Sequence, residues 1–463
     1  MPTKILCYEL NEVPWRVIDF YVATRPGSAL ASFLNGASQI TTRTTDSGEL
    51  HPWSTWPTMH RGVNNDTHNI RFINQDLSGA RSTPPVWEIL ADNKRTVGIV
   101  GSLQSYPPFK TANCLFHIPD TFAKGAETIP LKYGPFQTLN LQLTRENKAV
   151  TSKIRLSQLS AGTALLRGGV RLPTGYRLLE QLIRENLNPL HKSLRPILQA
   201  DVAFDVFVNA LSGDHPSYAA FFSNHVAGMM HRYWRYAFPE DFGDELAHTP
   251  HARFHSESIL KAMDIFDRHL HWLTEFAEGN DYDIVIASSM GQEAIKRGAY
   301  IPELILDSIE PLRRKSGFQL PIRLNLAMQP DVALEFESER DLNEFRALLP
   351  RLVDSEGTPV MRAGYEPQGC TLNLSVARSE AVAKDRTLYL SGEAHGLETL
   401  GFRLIARDPG TGYHQPDGIL IWKGKLQPNL GHRPIVDSRT YAPTIISALG
   451  VTPPSYMRPS LFA

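Results

Sequence analysis

Residues 4–14, KILCYELNEVP, open on an apolar run of strand-forming residues and stop at Pro14. Proline lacks the backbone donor that a strand interior needs, so the strand ends before it. A helical stretch, WRVIDFYVAT, follows at once. Residues 83–101, TPPVWEILADNKRTVGIVG, read as proline at a helix start, an amphipathic helix, a turn and then a strand. Residues 282–287, YDIVIA, and 417–422, DGILIW, are two more apolar runs bounded by turn residues. Short continuous apolar runs separated by helical stretches indicate strands buried on both faces. The predicted fold is α/β, a largely parallel central sheet with helices on both faces. In such sheets ligands bind beyond the carboxyl ends of the strands. Asn11, Glu12, Ser288, Ser289 and the turn near His414 lie at or close to such ends.

Two stretches depart from this pattern. Residues 108–200 carry scattered polar segments and a basic amphipathic stretch, YRLLEQLIRENLNPLHKSLRPIL, and are expected to form an inserted cap. Residues 316–390 are strand-rich with alternating charge and are expected to form a second insertion. The core then comprises residues 1–107, 201–315 and 391–463. Neither an internal repeat nor a low-complexity tract is evident.

Charge narrows the function. The 463 residues include 47 Lys+Arg and 48 Asp+Glu, a net charge of −1. A dedicated nucleic-acid surface normally shows a basic excess, so none is expected, and an anionic membrane is not an expected partner either. The three cysteines, Cys7, Cys114 and Cys370, form no CxxC pair, which excludes a disulfide framework and a cysteine zinc site. With no secretory-type leader and no apolar run near the ~18–20 residues of a membrane span, a cytoplasmic protein is expected. Sixteen histidines make the histidine positions worth following.

Residues 51–70, HPWSTWPTMHRGVNNDTHNI, are the most informative stretch. Thr55 beside Trp56-Pro57 suits a helix N-terminus, where amide groups and the helix dipole favour an anion. Thr55 is therefore either a nucleophile for phosphoryl or sulfuryl transfer or a helix cap. Other lone histidines and arginines here have the ordinary alternative of a hydrogen-bonded core or a solvated face.

Several segments, taken in order, resemble the alkaline phosphatase superfamily, in particular its nucleotide pyrophosphatase/phosphodiesterase branch. KILCYELNEVPWRVI is similar to the first strand and its metal-bearing loop, and STWPTMHRGVNNDTHNI to the nucleophile helix. FFSNHVAGMMHRYW resembles the segment that carries an Asp and a His, and DIVIASSMGQ the strand ending in Ser-Asp-His-Gly. GYHQPDGILIWKG resembles the last metal-histidine turn, and VDSRTYAPTIISALG the closing helix. The resemblance implies an alkaline-phosphatase-like core, a phosphate- or sulfate-ester hydrolase or transferase, Thr55 as nucleophile and a two-metal site. Carried over residue by residue, the nucleophile-side metal loses its ligands to Asn11, Ser289 and Met290, poor partners for Zn²⁺. That metal is expected to be absent unless Glu9 or Glu12 substitutes. The second metal keeps His231 and His414, with Asn224 or His225 as a further ligand, so one divalent ion, Zn²⁺ first, is expected.

The stretch from Thr55 to Gly62 is about one helical turn shorter than the family pattern, which makes His60 and Arg61 candidates for the substrate pocket. Arg61 has the planar guanidinium of a phosphate clamp. Ser289 and His395 complete the substrate-side candidates. The expected substrate is a small anionic molecule. Two alternatives stand beside the one-metal enzyme. One is a metal-independent transferase with a rebuilt pocket, in which Glu9 or Glu12 is the general base. The other is a non-catalytic anion- or nucleotide-binding protein on the same fold.

Overall fold

The computed structural model describes residues 4–73, 75–146, 169–243, 248–296, 302–325, 327, 330–363, 367, 369–377, 379–405 and 410–462. Its contacts divide the chain into two units. The first comprises residues 1–71, 77–296 and 410–463, and the second 72–76 and 297–409.

In chain order, the elements of the first unit that matter here begin with β1 (Lys4–Leu10), α1 (Trp15–Thr24), β2 (Ser38–Arg43) and α2 (Pro52–Arg61). Next come α3 (Val86–Asp92), β3 (Val97–Val100), β4 (Cys114–Ile118), α4 (Leu172–Leu187) and α5 (Arg195–Asp214). Then follow β5 (Tyr218–Ser223), α6 (His225–Ala237), α7 (Ser258–Asn280), β6 (Tyr282–Ala287) and β7 (Gly291–Ala294). The unit closes with β8 (Gly412–Gln415), β9 (Asp417–Lys423), β10 (His432–Asp437) and α8 (Tyr441–Ala448).

Eight strands form one sheet in the order β10-β2-β9-β6-β1-β5-β3-β4. β1 runs parallel to both β5 and β6, and β3 parallel to both β4 and β5. Only β9 runs against its neighbours, β2 and β6. The alternation of β1 explains the layering. Leu6, Tyr8 and Leu10 enter one apolar cluster with α1, α5, α6 and α7. Ile5 and Cys7 enter another with α2, α3 and α8. The sheet is thus covered by helices on both faces, as its uninterrupted apolar strands require.

Three adjacent parallel strands end together. Leu10 of β1 stands opposite Ser223 of β5, and Glu9 opposite Ala287 of β6. The residues just beyond these ends, 11–13, 224–225 and 288–290, therefore share one rim of the sheet.

The second unit has its own apolar core, including Leu304, Leu334, Phe345, Leu372 and Phe402. Its boundaries are wider than the expected 316–390. Strand Glu303–Leu306 pairs with Phe402–Ile405, so the segments that close the unit lie outside that span. The expected cap also shifts. Residues 108–146 and 169–200 cluster with the first unit, and Cys114–Ile118 is the edge strand of the main sheet. The rest of that expected cap, residues 147–168, lies outside the described residues. Among the described residues, no helix is long and apolar enough to cross a membrane.

Candidate metal centre

The chain leaves β1 at Leu10, so strand alternation no longer sets the direction of Glu12. Glu12 adopts φ 60°, the left-handed region, which costs a non-glycine residue about 1 kcal/mol. Strain of this kind persists where surrounding contacts fix it. Here Asn11 Nδ2 donates to Glu12 Oε1 at 2.8 Å, and Gln292 Nε2 donates to Glu12 Oε2 at 2.5 Å. The buried carboxylate is thereby aimed at two imidazoles. His231 Nε2 is 3.0 Å and His414 Nε2 3.4 Å from Glu12 Oε2.

The two histidines arrive from different elements. His231 lies two turns into α6. His414 lies on β8, which pairs antiparallel with β7 and sets His414 opposite Gln292. Gly412 fits this crossing because a Cβ there would stand 2.5 Å from the Met230 carbonyl and 2.7 Å from Gln292 Oε1. The Gly412 carbonyl accepts from His231 Nδ1 at 2.9 Å. A carbonyl only accepts, so Nδ1 carries the proton and Nε2 is the atom directed at Glu12. An imidazole lone pair facing a carboxylate oxygen at 3.0 Å needs a proton or a cation near it.

The electrostatics agree with a tight group. Burial favours the neutral acid of Glu12, but His414 and His231 hold its pKa well below the usual carboxylate range. Burial likewise opposes charge on His414, yet the Glu12 carboxylate raises its pKa.

The donor set fits a divalent ion. One carboxylate oxygen and two imidazole nitrogens lie within 4.8 Å of one another. Ligands ~2.0–2.1 Å from a tetrahedral Zn²⁺ are themselves roughly 3.3 Å apart, close to the spacings from Glu12. A two-His, one-Glu set leaves a fourth position open, the arrangement of catalytic rather than structural zinc. Among the described residues this is the one group of three such side chains with that spacing.

Several sequence candidates sit elsewhere. His225, expected as a ligand, bonds Ser223 Oγ through Nδ1 and the Ala262 carbonyl through Nε2. Its burial lowers its pKa to about 3, so it is a neutral core histidine at the first residue of α6. Asn224, the other expected ligand, precedes the helix and accepts from Asn11 Nδ2 at 2.7 Å. Asn11 in turn accepts from Trp56 Nε1 at 2.8 Å, so its amide is fixed at both ends.

Thr55 is the fourth residue of α2 and its amide bonds the His51 carbonyl, so the cap is His51 and not Thr55. The Thr55 hydroxyl is fully buried, 2.7 Å from Ser289 Oγ. Glu9 and His60 form a buried contact at 2.7 Å on the α2 face of the sheet. Arg61, expected as a phosphate clamp, donates to the carbonyls of Ala80 and Thr83, and its burial lowers its pKa to about 10. His395 belongs to the second unit, on strand Glu393–Gly396.

Sequence reasoning missed Gln292, Gly412 and His51. His51 stacks on Trp53, and its ring meets that of His414 edge-on at 5.9 Å. Gln292 lies in the quoted segment DIVIASSMGQ, but its partnership follows from the β7–β8 pairing. That pairing leaves no local sequence signal.

No protein-family model and no curated protein matches the chain. Solved structures similar to it include phosphonoacetate hydrolase from Sinorhizobium meliloti, at 14% identity and a TM-score of 0.44, covering 97% of this chain and 96% of that one. Human ectonucleotide pyrophosphatase/phosphodiesterase 5 is similar at 10% identity and a TM-score of 0.43, covering 99% and 98%. Alkaline phosphatase from the Antarctic bacterium TAB5 is similar at 9% identity and a TM-score of 0.37, covering 97% and 99%.

Proposed function

We propose that the chain is a one-metal enzyme acting on phosphate esters, with Glu12, His231 and His414 holding a single divalent ion, Zn²⁺ first. The observation that carries this reading is the convergence of Glu12 Oε2, His231 Nε2 and His414 Nε2 at the rim of the sheet. A divalent ion there supplies Lewis-acid polarisation of a phosphoryl oxygen, or a water of lowered pKa. The protein groups do the positioning. Gln292 and Asn11 fix the Glu12 carboxylate, and the Gly412 carbonyl fixes the His231 tautomer. Such outer contacts typically govern metal affinity by 10–100-fold.

Thr55 is the nucleophile in this reading, oriented by Ser289. Attack of Oγ1 on phosphorus breaks the bond to the alcohol, which leaves with the Thr55 proton; water then hydrolyses the threonyl phosphate, releasing the phosphate and restoring the hydroxyl. The substrate is a small anionic phosphate ester. One observation favours a second reading, a protein that binds the ion and an anion without a covalent step: the Thr55 hydroxyl is closed to solvent.

The test pairs elemental analysis with turnover of phosphomonoester and phosphodiester substrates. The enzyme reading expects about one zinc per chain, turnover that needs it, and loss of turnover in Thr55→Ala with zinc retained. Zinc and anion binding without turnover in the wild type would select the second reading. Absence of any divalent ion after titration would overturn both.

A further inference from the structure

Helix α4 is inside out. Its buried side chains are Thr174, Gln181 and Glu185, all polar. Five of its seven large apolar side chains face outward, while Leu178 packs against the main core. Leu172, Tyr176, Leu179, Ile183 and Leu187 are 54–81% exposed. At about 100° per residue, these five fall within roughly an 80° arc, and the three buried polar residues are centred on the opposite side.

This orientation is held by specific bonds. On the inner side, Arg177 Nε donates to Asp201 at 3.1 Å, Arg171 Nε to Asp205 at 2.6 Å, and Arg195 Nε to Glu185 at 2.6 Å. Gln181 donates to Glu185 and to the His191 carbonyl. Rolling the helix to bury its apolar stripe would break the Arg177–Asp201, Arg195–Glu185 and Gln181–His191 contacts. The outward stripe is therefore fixed by the fold.

We propose that the outer face of α4 is the two-fold interface of a homodimer. Three observations favour a second copy of this chain. The gaps along Leu172, Tyr176, Leu179 and Ile183 are 4, 3 and 4, the spacing of a helix-pairing seam. That pattern reads the same in both directions. A two-fold axis across an antiparallel pair sets Leu172 against Ile183 and Tyr176 against Leu179 of the other copy, a self-complementary contact. The arginines around the helix are already neutralised. Arg171, Arg177 and Arg195 pair as above, and Arg184 pairs with Glu180 along the rim at 2.6 Å. A rim without uncompensated arginine suits a protein face, and the exposed Lys192 of the adjoining turn offers an anionic bilayer only about 1 kcal/mol. Large apolar side chains cover on the order of 150 Å² each, so five of them this open offer roughly 500 Å² per chain. With its polar rim the face approaches the about 800 Å² per partner of a standard interface.

Sedimentation of the full chain at high micromolar concentration tests this. The wild type is expected at twice the mass of one chain. The double variant Leu179→Glu/Ile183→Glu is expected at the mass of one chain, with an unchanged circular dichroism spectrum and unchanged zinc content. Leu131→Glu, which alters an exposed leucine on another element, is expected to keep the doubled mass. A wild type that sediments as a single chain overturns the proposal, as does a double variant that keeps the doubled mass. A single-chain wild type that floats with phosphatidylcholine vesicles also overturns it and assigns the face to lipid.

Discussion

Two glutamates three residues apart meet histidines in different ways. Glu9, still within β1, points to the α2 face, where its side chain bonds His60. Both are closed to solvent, His60 packs against Trp56 and Trp87, and among the described residues Glu9 Oε2 and His60 Nδ1 have no hydrogen-bond partner. Glu12 lies past the end of the strand, turned by its left-handed backbone toward two histidines, with an amide donor on each oxygen. His231 keeps a third of its side chain open, at 33%. The carboxylate–imidazole chemistry is the same in both places. A third converging ligand and access from solvent make one of them a candidate metal centre and leave the other a core contact.

The largest expected effect separates them outright. The double variant His231→Ala/His414→Ala removes two of three ligands, so bound zinc falls from about one per chain to none by elemental analysis. That loss exceeds the about 100-fold drop that outer contacts produce. The second contrast swaps the glutamates. Glu9→Gln leaves zinc unchanged and lowers unfolding stability by about 3 kcal/mol, as expected on breaking a buried pair. Glu12→Gln loses zinc, and because His231 and His414 favour the charged carboxylate it also lowers the stability of the metal-free protein by about 3 kcal/mol. Equal effects of the two substitutions on zinc would break the comparison.

Third, zinc at 100 times its dissociation constant stabilises the wild type by about 2.7 kcal/mol. Calorimetry should show this shift in Glu9→Gln relative to its own metal-free form, and not in Glu12→Gln. The smallest effect concerns the donor behind the ligand. Gln292→Leu leaves Glu12 Oε2 without its amide, so zinc affinity falls about tenfold, read by competition with a chelator.

The sheet was legible where strands are uniformly apolar. Runs such as KILCYEL and YDIVIA announce themselves because both their faces are covered. β2, SQITTR, and the edge strand CLFHI did not, because polar residues interrupt the first and the second falls in a stretch read as a cap. His231 and His414 were singled out as ligands from motif order, and the structure sets them together. In the sequence Glu12 reads as a substitute ligand for the other metal or as a general base; its convergence with His231 and His414 follows from the left-handed turn after β1, which has no local sequence signal. His225 lies six residues from His231, yet the first turn of α6 directs it to Ser223 and Ala262. Arg61 carries the right group for a phosphate, but its helix buries it under the 80–83 turn. In each miss the residue type was informative and the long-range pairing was absent from the local sequence.

The proposed function turns on whether Glu12, His231 and His414 hold one divalent ion. Calorimetric titration of the metal-free chain with Zn²⁺, run beside Glu12→Gln, tests it most directly. The account predicts one site per wild-type chain and none of comparable affinity in the variant. No uptake by the wild type, or equal uptake by both proteins, would contradict it.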